Sequence, residues 1–180
     1  MEFSEVIKNR YSCKKFDSRQ IEKEQLDQIL EAGRLAPTAK NLQEQRIYVV
    51  QSPEGLEKID KITPCRYGAP TVLAVAFDKN NVFVYPGGER DSGIEDASIV
   101  ATHMLLAAQN AGVESCWLNF FDPEIAAKEL GCRRMRRSSC CWIWATPRRG
   151  PVRFLPTGSA GSFRRRWCTC KKTGRLRQNE

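Results

Sequence analysis

A single histidine, His103, in 180 residues leaves no convincing Ser-His-Asp or Cys-His catalytic arrangement, and it reads as a structural residue of a long helix. No Gly-x-Gly-x-x-Gly occurs, so a Rossmann-type dinucleotide domain is excluded. No apolar run approaches the roughly 18 residues needed to cross a bilayer. The acidic start Met1-Glu2-Phe3-Ser4-Glu5 is followed by no signal-peptide core. Before residue 132 the only thiols are Cys13, Cys65 and Cys116, an odd number at no framework spacing, which fits a reducing cytoplasm. These absences predict a cytoplasmic protein with no membrane partner.

Acidic residues are almost missing from the last quarter. Residues 1–131 carry 15 Lys and Arg against 20 Asp and Glu, whereas residues 132–180 carry 14 against 1. The overall charge of +8 therefore averages −5 and +13 and says nothing about partners. Five of the eight cysteines and three of the four tryptophans also fall after residue 131. The genetic code offers a reason. Codons for Cys140-Cys141-Trp142-Ile143-Trp144-Ala145-Thr146, regrouped from each third base, spell Leu-Leu-Asp-(Leu or Met)-Gly-(Tyr, His, Asn or Asp). The same regrouping of Arg166-Trp167-Cys168-Thr169-Cys170-Lys171 permits Val-Val-Tyr-Leu and a stop. Residues from about Cys132 are thus expected to be a frameshifted, poorly ordered tail, with the last strand of the domain lost. Arg133-Arg134-Met135-Arg136-Arg137 and Arg164-Arg165-Arg166 look like phosphate-binding patches, but Arg-, Cys- and Trp-rich runs also come from a misread GC-rich frame. Cys168-Thr169-Cys170 lacks zinc-site spacing. No nucleic acid and no metal are expected.

Residues 1–131 alternate helix and strand. Helices are predicted over residues 3–9, 22–35, 53–62, 92–111 and 123–130, and strands over 46–51, 70–77 and 115–120. In the second helix Leu26, Ile29, Leu30 and Gly33 form one stripe; in the fourth, Ala97, Val100, Ala101, Met104, Leu105 and Ala108 do. Ser92-Gly93-Ile94-Glu95 reads as a capping box. The unbroken apolar run through Val72, Leu73, Ala74, Val75 and Ala76 predicts a strand buried on both faces. The fold class is α/β or α+β, one layered domain over residues 1–131.

Two segments carry chemistry. In Arg10-Tyr11-Ser12-Cys13-Lys14, an extended backbone sends Arg10, Ser12 and Lys14 to one side and Tyr11 and Cys13 to the other. Two cations and a hydroxyl on one point suit a phosphate, although such a face is more often solvated surface. Ala36-Pro37-Thr38-Ala39-Lys40-Asn41-Leu42-Gln43 is a polar loop of small residues where a flat ring can lie close and amides can meet a heteroaromatic edge. A plain connection would read the same way.

In this order the segments are more specific. Arg10-x-Ser12-x-Lys14-x-Phe16 and Leu35-Ala36-Pro37-Thr38-Ala39-x-Asn41-x-Gln43 resemble the nitroreductase family of flavin mononucleotide (FMN) oxidoreductases. Gly68-Ala69-Pro70, Asp96-Ala97-Ser98-Ile99, Gly112, Cys116-Trp117-Leu118 and Phe121-Asp122-Pro123 extend the likeness over residues 3–131. The resemblance implies an α+β layered sheet with flanking helices. It implies a homodimer in which Arg10, Ser12 and Lys14 meet the FMN phosphate and ribityl chain. Pro37, Thr38, Ala39, Asn41 and Gln43 would come from the second subunit's loop, and Leu118 and Asn119 would lie beside the flavin N5 edge. Asn119 departs from the family's usual Gly. The implied activity is transfer of hydride from transiently bound NAD(P)H, through FMN, to a nitroaromatic, quinone or similar small-molecule acceptor. Two alternatives stand beside it: a flavin-free, non-functional variant of the fold, and a nucleic-acid-binding protein acting through its basic tail.

Overall fold

The computed structural model describes residues 1–130, 141–147, 168–170 and 176–178. Helix α1 (Phe3–Asn9) and helix α2 (Lys23–Arg34) precede a short 3-10 turn, Ala39–Asn41, and strand β1 (Gln45–Val50). Helix α3 (Pro53–Ile62), strand β2 (Thr71–Phe77), helix α4 (Gly93–Asn110), strand β3 (Val113–Leu118) and helix α5 (Pro123–Glu129) follow. Strands β4 (Cys141–Pro147), β5 (Cys168–Cys170) and β6 (Leu176–Gln178) lie in the basic region.

The main sheet has the order β1-β2-β4-β3, every pair antiparallel. Its centre is β2, whose seven residues are all buried. Leu73, Val75 and Phe77 face the layer that contains α2 and α4, while Val72, Ala74 and Ala76 face the layer of α3 and α5. A strand covered on both faces has no polar side, which is why its sequence does not alternate. All six residues of the α4 stripe are buried. Helix α2 packs closely on α4 because Gly33 has no side chain: a Cβ there would stand 3.0 Å from the Met104 side chain and 3.1 Å from Ile47.

The structure corrects three expectations. A strand is not lost from the basic region: Cys141–Pro147 inserts between β2 and β3, with Leu73 opposite Ile143 and Cys116 opposite Trp144. Ala145 of this strand is fully buried in the core with Leu73 and Val75, because a strand paired on both sides is closed off from solvent. Residues 131–140, 148–167, 171–175 and 179–180, with the two arginine runs and the expected poor order of the tail, lie outside the described residues. The capping box at Ser92 is absent. The Ser92 hydroxyl accepts the Phe83 N–H (3.2 Å) and Asp91 accepts the Gly93 N–H (2.9 Å). The capping box lies instead at Glu22 and Gln25, opening α2. Strand β3 starts two residues early, because Gly112 turns the chain at φ 73° and Val113 pairs at once with Pro147.

Candidate functional site

Arg10 leaves α1 in an extended conformation, and the chain then runs alongside β3. Ser12 forms a parallel bridge with Ser115, and the Cys13 N–H donates to the Ser115 carbonyl (3.0 Å). The predicted alternation is realised in the contacts. Tyr11 and Cys13 turn to Glu114: the Cys13 thiol donates to Oε2 at 3.4 Å, and Tyr11 is hydrogen-bonded to the same carboxylate. Ser12 is hydrogen-bonded to Cys116, a buried thiol of β3 that also feels the charges of Lys14 and Arg10. Burial pushes the Cys116 thiol up from its ordinary range, while the Lys14 charge, a hydrogen bond with Ser12 and the Arg10 charge pull it down. Two cations and a hydroxyl thus act on the same stretch of the β3 edge, a donor set that suits a phosphate.

Further along the same strand Leu118 is buried and Asn119 is exposed. The Trp117 indole N–H donates to the Asn119 side-chain oxygen (3.0 Å), which orients this amide. Asn119 lines an open cavity of about 520 Å³ with Ile62, Pro64, Phe120, Phe121 and Asp122, within the size range of small-molecule sites. Phe120 is 69% exposed there. Asp122 caps α5 by accepting the Glu124 and Ile125 N–H groups, which fixes the cavity's far wall.

The second segment, Pro37 to Gln43, is built from the backbone. Lys40, Asn41 and Gln43 sit in the left-handed region, with φ of 50°, 54° and 49°. Each such residue other than Gly costs roughly 1–2 kcal/mol, least for Asn, and clusters of this kind occur at functional loops. Thr38 holds the turn: its carbonyl accepts the Asn41 N–H (2.9 Å) and its hydroxyl accepts the Gln43 N–H (3.0 Å). The Ala39 N–H donates to Asp96 Oδ1 of α4 at 2.9 Å. Lys40 stacks over the Phe83 ring at 4.6 Å, and Asn81 donates to the Leu42 carbonyl (3.1 Å).

The structure does not bring the two segments together within one chain. The loop leads into β1 and the basic cluster borders β3, which are opposite edges of the four-stranded sheet. Three strand spacings separate those edges, about 14 Å. Sequence reasoning also passed over Cys116 as the focus of the cluster, and over Glu44, which is wholly buried beside the loop. A Glu between two Gln residues in a polar stretch carries no local sign of burial.

A model of the nitroreductase family matches residues 7–66 and 65–143. A relative from Methanothermobacter thermautotrophicus, with the provisional name NADH dehydrogenase/NAD(P)H nitroreductase, is 31% identical over 140 residues, 75% of this chain and 69% of its own length. A crystal structure of a nitroreductase family protein from Clostridium difficile superposes with a TM-score of 0.77 at 34% identity, covering 82% of this chain and 85% of that one. An FMN-dependent nitroreductase from another strain of that organism gives a TM-score of 0.65 at 29% identity, over 79% and 86% of the two chains. The family match spans the basic cluster, the strained loop and the cavity alike: this chain belongs to the nitroreductase family, whose members are oxidoreductases.

Proposed function

We propose that this chain is an FMN-dependent oxidoreductase that uses NAD(P)H to reduce nitroaromatic, quinone or similar acceptors. The observation that carries the reading is the bridge of Ser12 to Ser115, which holds the alternating Arg10, Ser12 and Lys14 beside β3. The donor set fits a phosphate monoester, which Arg10 can bind with two N–H groups while Lys14 neutralises the second charge and Ser12 donates a hydroxyl. Asn119 borders the cavity in which a ring system attached to that phosphate would lie, and Leu118 is the buried residue just before it. Pro37, Thr38, Ala39, Asn41 and Gln43 close the site from a second subunit, since one chain holds the two halves on opposite sheet edges. FMN bound there supplies the hydride chemistry, and the protein binds, orients and shields it. The similar C. difficile protein described as FMN-dependent favours this cofactor.

Titrating the full chain with FMN, followed by quenching of flavin fluorescence, tests the reading. Binding should be saturable and accompanied by dimerisation in size-exclusion chromatography. No binding at any attainable FMN concentration would favour the flavin-free alternative.

We also infer that residues from about Cys132 onward are read in a shifted frame. The charge break at residue 132 and the regrouped codons of residues 140–146 support this. Restoring the frame by one base should give a chain that dimerises more strongly and retains more FMN on purification. Equal yellow colour and equal dimer content in the two versions would overturn it.

A further inference from the structure

Behind the strained loop lies a pair of carboxyl groups that the cofactor reading does not use. Glu44 is fully buried at the entrance to β1, and no donor, its own backbone N–H included, reaches either side-chain oxygen in hydrogen-bond geometry. Asp96, only 4% exposed on the first turn of α4, gives Oδ1 to the Ala39 N–H and leaves Oδ2 buried without a donor. The two carboxyl groups lie within hydrogen-bonding reach of each other. Three adjacent buried acceptors with nothing to accept are costly, and two charged carboxylates in so dry a place repel. One proton removes both problems by making an O–H···O⁻ bond of the strong, charge-assisted kind.

We propose that Glu44 carries a proton shared with Asp96, and that this proton holds loop 38–43 in its left-handed turn. With the proton present, Asp96 is oriented by Glu44 on one side and accepts the Ala39 N–H on the other. The turn that Ala39 begins then keeps Lys40, Asn41 and Gln43 at positive φ. When the proton leaves, repulsion drives the carboxylates apart and the Ala39 hydrogen bond is lost. Glu44 is thus a positioning residue, acting on the loop through Asp96. Its effect on the cofactor rests on the assignment of residues 37–43 to the flavin site.

The surroundings support a proton held near neutrality. Burial, and next the hydrogen bond to Asp96, push the Glu44 carboxyl from its ordinary 4.5 up to about 7, against its own backbone and the Arg46 charge on β1. The Arg46 guanidinium is engaged with the Gln45 carbonyl (2.8 Å). From segment 78–92, Tyr85 is the group that feels Asp96; its hydroxyl is bonded to Glu95, and Arg90 covers its ring. Because the folded value lies above the unfolded one, the stabilisation is complete below about 4.5. It declines as pH rises and is gone above about 7.

The test uses the full chain without cofactor. The Glu44 carboxyl carbon, observed by NMR, should titrate with a midpoint near 7, and the Ala39 amide resonance should move with the same midpoint. In Glu44→Gln, whose amide still donates to Asp96, the Ala39 amide should stop titrating. A Glu44 midpoint below 5.5, or an Ala39 amide indifferent to the titration, overturns the proposal, and the unaltered chain alone suffices to show either. FMN affinity between pH 5.5 and 8.5 is then compared in the two proteins, so that titration of the FMN phosphate cancels. The unaltered chain should lose at least tenfold more affinity than Glu44→Gln. If Ala39 and Glu44 titrate together while that ratio stays flat, the shared proton stands and the assignment of loop 37–43 to the flavin falls.

Discussion

The β3 edge and the β1 edge reach their functional form by opposite physical routes. At β3 the backbone is extended, and the proposed phosphate contacts come from the side chains of Arg10, Ser12 and Lys14. At β1 the side chains of the loop are small or exposed, and the backbone itself is strained, with three non-glycine residues at positive φ. The first edge can lose a side chain and keep its fold. The second is held by what lies beneath it, the Asp96 carboxylate and the α4 terminus. Substitutions should therefore separate binding from stability at β3 and mix them at β1.

The largest effect is expected beneath the β1 loop. Gly93 opens α4 against the Phe77 ring, and a Cβ there would overlap ring carbons. Gly93→Ala should destabilise the protein by about 3 kcal/mol, the upper part of the range for overpacking, with a clear fall in Tm by calorimetry. A Tm shift of less than 2 °C would show that the ring moves aside freely. On the β3 side, Arg10→Ala should weaken FMN binding at least tenfold, since charge-assisted bonds contribute about 1.5–3 kcal/mol. Its stability should stay within about 0.5 kcal/mol of the parent. Unchanged FMN retention would remove Arg10 from the phosphate site.

A smaller effect should follow from Asp122→Ala, which deletes the α5 cap beside the cavity and should cost about 1 kcal/mol in denaturant unfolding. The smallest is Gln43→Gly. Relief of the left-handed strain should raise stability by up to about 1 kcal/mol, while FMN affinity falls because the loop is less rigid. A loss of stability would mean that Gln43 is held by contacts worth more than its strain.

The facing of Arg10, Ser12 and Lys14 was legible because its pattern is local. Period-two alternation over five residues assigns sides to Arg10, Ser12 and Lys14 without any knowledge of the neighbours. The α4 stripe and the doubly buried β2 were legible for the same reason. The loop at β1 was legible only as composition: nothing in Pro37 to Gln43 announces positive φ at Lys40 or Gln43, residues with no preference for it. Ser92 misled because a capping box is a pattern of residue types, and its hydroxyl had a competing donor in Phe83.

The sequence by itself determined the helices, the buried strand, the alternation of Arg10, Ser12 and Lys14 and, through its motifs, the family. Each of these depends on residues within a turn or a few positions of one another. Tertiary structure decided that Cys141–Pro147 fills the slot between β2 and β3, that the two halves of the site stand on opposite sheet edges, and that Glu44 meets Asp96 out of water. Strand order and burial are set by packing the whole chain against itself, and no local period encodes which distant segment will be the neighbour.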